Sequence, residues 1–71
     1  MVLREGTKGE LVKKLQEVLA ELGYHPGPID GHFGGMTEDA VGEFQRKSKL
    51  YADGAVGPST AAALNKALGD P

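Results

Sequence analysis

Apolar residues recur at helical spacing in three stretches of the chain, and glycine-rich segments separate these stretches. The first stretch predicts a helix from about Lys8 to Leu22. Thr7 and Glu10 form the pattern of a capping box at its start, and Gly23 is a residue that can end it. The apolar stripe of this helix consists of Leu11, Val12, Leu15, Val18, Leu19 and Leu22.

Two further stretches predict a second helix from about Gly35 to Ser48 and a third from about Pro58 to Leu68, which Gly69 and Pro71 end. No stretch alternates as a half-buried strand does, although a brief bridge between the two glycine-rich segments fits the pattern. The sequence therefore predicts an all-α fold, a three-helix bundle, in a single domain over residues 1–71. The expected inward-facing residues are Ala40, Val41 and Phe44 in the second helix and Ala61, Leu64, Ala67 and Leu68 in the third.

The glycine-rich segments are two copies of one turn, "DGHFGGMT" and "DGAVGPST". We name them the first turn (Asp30–Thr37) and the second turn (Asp53–Thr60). In each copy the Asp-Gly pair favours a tight turn, and an apolar residue, Phe33 or Val56, is expected to pack beneath it. The threonine hydroxyl is expected to accept a backbone N–H from the first turn of the following helix.

The repeat extends into the helix ahead of each turn. The segment "VKKLQ" ends at Gln16 and is echoed by "VGEFQ", which ends at Gln45. We interpret both glutamines as surface or turn-bracing amides rather than ligand contacts. The bundle is therefore predicted to contain an internal helix-turn-helix pseudo-repeat.

Composition excludes several classes of function. The 71 residues include no cysteine, and eight basic against ten acidic residues leave a formal net charge of -2. The cations Arg46, Lys47 and Lys49 cluster without interleaved aromatic residues, which is typical of a solvated helix end rather than a nucleic-acid site. No apolar run reaches membrane-spanning length, and "MVLREGTKGE" lacks the apolar stretch of a signal peptide. The chain is expected to be cytosolic, exported by other means, or a piece of a longer exported protein.

The candidate catalytic and metal-binding residues have simpler interpretations. Asp30 and Asp53 suggest a pair of catalytic carboxylates, but their equivalent turns predict near-identical environments rather than one raised pKa, so turn capping is preferred. His25, Asp30 and His32 fit no helical or finger-type metal motif, and the turns lack the alternating oxygen ligands of a calcium loop. The chain contains no nucleophile–base pair, so we do not expect a small free-standing hydrolase. We also expect neither a bound metal nor a cofactor.

Three segments carry a resemblance to a known family: "GTKGELVKKLQEVLAELGY", "DGHFGGMTEDAVGEFQ" and "LYADGAVGPSTAAAL". From Leu3 to Leu68 the chain resembles the peptidoglycan-binding domain family, the small three-helix modules attached to many cell-wall hydrolases. The resemblance implies a non-catalytic module that docks an attached or partner hydrolase on peptidoglycan. It also implies an extracellular or cell-wall location as part of a longer protein. We expect a monomer that contacts neither nucleic acid nor membrane.

Two positions depart from the pattern of that family. Many members carry tryptophan after the threonine of the second turn, where this chain has Ala61, and glycine is frequent before Leu50, where this chain has Lys49. The loss of the ring at Ala61 favours an alternative, a protein-interaction or structural module that keeps the fold without binding the wall. If the second helix ends in a left-handed residue, Lys49 carries a steric penalty there.

The resemblance and the turn chemistry together predict a ligand site at the turns. Backbone N–H groups at the helix N-termini attract the carboxylates of a stem peptide, and the neighbouring tyrosines offer an apolar face. The first turn is expected to be the better anion site, because Gly35 leaves the approach open and Pro58 removes one donor from the second copy. A purely structural role of the same residues is the competing interpretation. The predicted ligand-binding residues are Tyr24, Asp30, Gly31, His32, Gly34, Gly35, Thr37, Tyr51, Asp53 and Gly54.

Overall fold

The computed structural model describes residues 2–69 of the chain. The predicted all-α fold is confirmed, and each helix begins and ends within two residues of the predicted positions. Gly69 is the last residue of the third helix rather than the residue that follows it, and Pro71 lies outside the described residues. The helices are α1 (Glu10–Glu21), α2 (Gly35–Lys47) and α3 (Pro58–Gly69).

The N-terminal segment is tied to both turns by its backbone. Leu3 and Val56 exchange two hydrogen bonds of 3.0 and 2.7 Å, and Lys8 forms a second isolated antiparallel bridge with His32. The bridge that the sequence allowed between the two turns is not formed within residues 2–69. Each turn is instead paired with the segment that precedes α1, which ties both copies of the repeat to that segment.

The hydrophobic core draws on all three helices and on both turns. The two predicted plugs, Phe33 and Val56, are buried beneath their turns as expected. A domain of this size buries few side chains, so each of them carries a large share of the stability. The buried hydrophobic residues are Val12, Leu15, Leu19, Phe33, Ala40, Val41, Phe44, Val56 and Leu64.

Three residues of the predicted stripes lie outside the core. Leu11 is 49% exposed, because the buried face of α1 follows Val12 and its neighbours three to seven residues on. Ala67 and Leu68 in the last turn of α3 are also exposed. Leu68 lines a surface groove together with Glu17 and its neighbours on α1, and 39% of its surface is exposed.

The start of α1 differs from the predicted capping box. The helix begins at Glu10, and its N-cap is Gly9, which makes no side-chain cap. The Thr7 hydroxyl instead accepts the backbone N–H of Arg4 at 3.3 Å. Gly9 has φ 131, a conformation that favours glycine, and donates its N–H to the Gly31 carbonyl at 2.9 Å. The prediction of a capping box is wrong because the segment that ends at Gly9 pairs with the first turn, and the helix begins only after it.

The end of α1 is a Schellman motif, as the glycine signal predicted. Gly23 has φ 94 and donates its N–H to the Ala20 carbonyl at 3.1 Å. The next residue, Tyr24, donates to the Leu19 carbonyl at 2.9 Å. These two bonds satisfy carbonyl groups that the last helical turn would otherwise leave without partners.

The end of α2 repeats this motif with a different residue at its centre. Lys49 has φ 60 and donates to the Arg46 carbonyl at 3.1 Å, and Leu50 donates to the Gln45 carbonyl at 2.8 Å. Lys49 therefore occupies the left-handed position that Gly23 holds in the first copy. A residue with a Cβ atom loses about 1–2 kcal/mol in this conformation.

Candidate functional site

Gln16 holds the first turn to α1 through a buried network. Its side-chain oxygen accepts the backbone N–H groups of Asp30 at 3.1 Å and Gly31 at 2.9 Å. Its NH2 group faces three acceptors, the Asp30 carboxylate at 3.3 Å, the His32 carbonyl at 2.9 Å and the Thr37 hydroxyl at 3.1 Å. One side chain therefore fixes the whole path of the turn.

Gln45 makes matching contacts to the second turn, with one backbone N–H fewer at its side-chain oxygen. Its side-chain oxygen accepts the N–H of Gly54 at 2.9 Å. Its NH2 group donates to Asp53 Oδ1 at 3.1 Å, to the Ala55 carbonyl at 2.9 Å and to the Thr60 hydroxyl at 3.0 Å. Of the two roles predicted for the glutamines, bracing of the turns is confirmed, whereas a surface position is wrong because both side chains are buried.

The two turn aspartates have matching environments, as the repeat predicted. Asp30 Oδ1 accepts the N–H of His32 at 2.9 Å, and Asp53 Oδ1 accepts the N–H of Ala55 at 3.0 Å. These backbone hydrogen bonds, followed by those from the glutamine amides, hold the pKa of both carboxyls below the ordinary value. A catalytic pair needs one raised and one ordinary pKa, so this arrangement matches turn capping rather than acid–base chemistry.

The Thr37 hydroxyl has a different role from the predicted one. It donates to the buried carbonyl of Pro26 at 2.8 Å and accepts from Gln16, so it does not serve a backbone N–H of α2. The N-cap of α2 is Gly34, which makes no side-chain cap. The prediction fails because the buried carbonyl of Pro26 requires a donor, and the Thr37 hydroxyl supplies it.

Each turn borders shallow grooves on the surface, and one groove at each turn reaches the start of the following helix. We name these two the first-turn groove and the second-turn groove. The first-turn groove has a volume of about 190 Å³, and the second-turn groove has a volume of about 390 Å³. The first is lined by Gln16, Pro26, Pro28, Asp30, His32, Gly34, Gly35, Met36 and Thr37. The second is lined by Gln45, Lys49, Leu50, Tyr51, Asp53, Ala55, Gly57, Pro58, Ser59 and Thr60.

The predicted ligand-binding residues divide between these grooves instead of forming one site. The first-turn groove contains the predicted residues Asp30, His32, Gly34, Gly35 and Thr37. The second-turn groove contains Tyr51 and Asp53. The remaining three, Tyr24, Gly31 and Gly54, line neither groove.

Three of the predicted ligand contacts, Gly31, Thr37 and Gly54, are buried. Their polar groups bond to the glutamines, so they shape the turns from inside. Sequence reasoning did not assign Lys49 to a groove. The sequence nevertheless marked this position as unusual, because Lys49 stands where glycine is frequent in the family that the chain resembles.

The two tyrosines differ in their surroundings. Tyr24 is half-buried, and its ring meets the Phe44 ring edge-on with centroids 5.8 Å apart. The Lys47 ammonium lies 5.7 Å from the centroid of the Tyr24 ring. Tyr51 is 86% exposed at the rim of the second-turn groove. Of the two predicted aromatic contacts, only Tyr51 offers a free face to a ligand.

Residues 2–69 contain neither a cluster of metal-binding side chains nor a membrane-spanning helix. No set of three histidine, cysteine or acidic side chains within this range comes together in a way that could hold a metal ion, so His25, Asp30 and His32 do not form one. None of the three helices in the same range is long and apolar enough to cross a membrane.

Fold and turns together define a small all-α module with a doubled, glutamine-braced turn. A family model described as a peptidoglycan binding domain matches residues 8–64. The chain therefore belongs to the peptidoglycan-binding domain family. This membership confirms the predicted resemblance and the predicted class, a non-catalytic peptidoglycan-binding module.

Several characterised proteins contain a region similar to this chain. It is 45% identical over 56 residues to the N-acetylmuramoyl-L-alanine amidase CwlM of Mycobacterium tuberculosis, a match that covers 79% of this chain and 14% of the amidase. It is 48% identical over 63 residues to the zinc D-Ala-D-Ala carboxypeptidase of Streptomyces albus G, covering 82% of this chain and 24% of that enzyme. The chain thus spans a quarter or less of either relative.

A solved structure of similar size shows the same fold. The SleB N-terminal domain matches with a TM-score of 0.91 at 40% sequence identity, and the match covers 94% of this chain and 92% of that one. The three-helix arrangement with its two turns is therefore the fold of a separately crystallised domain.

Proposed function

We propose that this module holds an attached cell-wall hydrolase on bacterial peptidoglycan, as a monomeric domain of a longer extracellular or wall-located protein. The observation that carries the proposal is the recurrence of this region within an amidase and a carboxypeptidase, where it makes up a quarter or less of the length. A module that recurs beside different enzymes is suited to placing them on a shared substrate.

The charge of the domain favours local recognition over bulk attraction. With a formal net charge of -2, the domain gains no long-range attraction from a wall polymer that carries carboxylates. Recognition therefore rests on shape and on single polar contacts at the turns. The affinity of the isolated domain is expected to be modest, and a tethered enzyme gains from the resulting local concentration.

We assign ligand contact to the exposed members of the predicted site. These are Asp30, His32, Gly34 and Gly35 at the first-turn groove, and Tyr51 and Asp53 at the second-turn groove. Gly31, Thr37 and Gly54 support them from inside the turns. The predicted preference for the first turn as an anion site competes with a site at the second turn, and the variants described below separate the two.

A sedimentation experiment tests the proposed function. The purified domain is expected to pellet with purified peptidoglycan but not with chitin or cellulose, which match its insolubility without its stem peptides. Long incubation is expected to release neither reducing sugar nor free amine. A folded domain that stays in the supernatant would favour the alternative of a protein-interaction module. Release of soluble fragments by the pure protein would contradict a non-catalytic role.

A further inference from the structure

The second copy of the repeat places a cation where the first copy has glycine. Gly23 and Lys49 occupy equivalent left-handed positions after α1 and α2, with φ 94 and 60. Glycine adopts this conformation without steric cost, whereas lysine does not. The backbone conformation therefore disfavours lysine at this position, and a role for its ammonium group outside the fold would account for it.

The residues that follow Lys49 also argue against a purely structural role for this segment. In the first copy the aromatic residue after the helix end, Tyr24, packs on Phe44. In the second copy the equivalent residue is the half-buried Leu50, and the aromatic residue comes one position later as Tyr51. Tyr51 is 86% exposed, so its ring contributes little to the core.

Lys49 and Tyr51 line the same groove. The second-turn groove has a volume of about 390 Å³, and the exposed residues Pro58 and Ser59 at the start of α3 form its opposite side. Asp53 is the acidic residue in this lining, and its Oδ1 is engaged by Gln45 and a backbone N–H within the turn. Lys49 is the basic residue of the lining, and its ammonium is the group there that can pair with a carboxylate.

We propose that the second-turn groove binds the stem peptide of peptidoglycan, with the Lys49 ammonium pairing with a peptide carboxylate and the Tyr51 ring covering the adjoining aliphatic part. This assignment rests on the proposed function, since the peptide is the carboxylate-bearing part of the wall that the module would meet. The assignment places the peptide-binding site at the second turn rather than at the first.

Binding of a soluble muropeptide to labelled protein tests this assignment together with the thermal stability of each variant. Lys49→Gly is expected to raise the melting temperature while weakening muropeptide binding about threefold to tenfold, as loss of an exposed or partly exposed ion pair does. Lys49→Arg is expected to retain binding. Tyr51→Ala is expected to weaken binding about tenfold without unfolding the domain. Lys66→Gln, which removes an exposed charge from the last turn of α3, is the matched control.

Two further binding measurements, one with a modified ligand and one at raised salt concentration, identify the chemical group that is bound. A muropeptide whose carboxylates are amidated is expected to bind the parent protein no more tightly than the unmodified ligand binds Lys49→Gly. Raising the salt concentration is expected to weaken binding to the parent but not to Lys49→Gly. Equal affinity of parent and Lys49→Gly would overturn the assignment, as would full binding of a glycan without stem peptides.

The outcomes also separate this assignment from the proposed function. If the parent pellets with peptidoglycan and Gly35→Glu alone abolishes binding, the first turn is the site and the assignment to Lys49 is wrong, while the proposed function stands. If the folded parent binds neither peptidoglycan nor muropeptide, both are wrong.

Discussion

The first and second turns share an interior and differ on the surface. In each, a buried glutamine bonds to the aspartate, to a backbone carbonyl and to the threonine of its turn. The connection between glutamine and aspartate differs, because Gln16 and Asp30 are 14 residues apart whereas Gln45 and Asp53 are 8 apart. The longer connection brings Pro26 against the first turn, where it lines the first-turn groove of about 190 Å³, compared with about 390 Å³ for the second-turn groove.

Folding fixes the interior of the repeat but not its surface. A buried amide must keep all its partners, because each polar group left without one costs about 1–3 kcal/mol. The surface above the network is free of that constraint, and there the two copies differ. The first-turn groove is lined by a proline loop, whereas the second-turn groove is lined by Lys49 and Tyr51. The predictions below test the shared interior first and the diverged surface afterwards.

The largest expected effect concerns equivalent core residues of the two copies. Phe44, 4% exposed, lies one residue before Gln45, as Leu15 lies before Gln16. Phe44→Ala is expected to cost about 3–5 kcal/mol and to unfold much of the domain, and Leu15→Ala about 2–5 kcal/mol. Denaturant unfolding followed by circular dichroism measures both. A melting temperature of Phe44→Ala within a few degrees of the parent would contradict a central position for this ring.

A smaller effect, expected to be similar in both copies, follows from removing either glutamine. Gln16→Leu and Gln45→Leu keep the side-chain size but leave the buried N–H of Gly31 or of Gly54 and the threonine hydroxyl without this partner. Each substitution is expected to cost about 2–4 kcal/mol in the free energy of unfolding. If one variant loses stability and the other does not, the two networks are unequal and the repeat is not energetically symmetric.

The two aspartates predict a loss of stability in acid. The folded state lowers the pKa of both carboxyls from 3.8, so protonation favours the unfolded chain. Their stabilisation is complete above the unfolded pKa of 3.8 and is lost as the pH falls below it through the lowered folded pKa values. Asp30→Asn and Asp53→Asn are each expected to remove part of this pH dependence.

Urea titrations at a series of pH values measure this effect. The charge of His32 further lowers the pKa of Asp30, and no such neighbour acts on Asp53. Asp30→Asn is therefore expected to remove the larger part of the pH dependence. An unchanged pH profile in both variants would show that the turn hydrogen bonds do not favour the charged carboxyls.

The smallest expected effect is a reciprocal exchange at the two helix ends. Lys49→Gly is expected to stabilise the domain by about 1 kcal/mol, because it removes the left-handed strain. Gly23→Lys is expected to destabilise by about the same amount, since nothing lies within 4 Å of a Cβ atom built there and the cost is confined to the backbone. Thermal melts of both variants check the pair. A destabilised Lys49→Gly would show that the lysine side chain supports the fold.

The sequence predicted the parts of the fold that local rules control. Helical spacing identified the three helices, and the repeat identified Phe33 and Val56 as buried plugs. The capping box at Thr7 failed because a contact distant in sequence, between Gly9 and Gly31, determines where α1 begins. Local patterns carry no information about such a contact.

The candidate site was less predictable for the same reason. The repeat marked both turns, but the sequence gives no measure of how far the proline loop closes over the first one. The half-buried position of Tyr24 depends on its contact with Phe44, which lies on α2 and is distant in sequence. Lys49 was noticed as a departure, yet its place in the groove depends on the packing of α2 against the start of α3.

Titration of the 15N-labelled domain with a soluble muropeptide shows directly which turn binds the ligand. We expect saturable shifts of the amide signals of Lys49, Leu50, Tyr51 and Ser59, with little change at Gly34 and Gly35 on the first turn. Saturable shifts confined to Gly34, Gly35 and their neighbours would contradict the assignment to the second turn. No shifts in a folded domain that also fails to pellet with peptidoglycan would contradict the binding function itself.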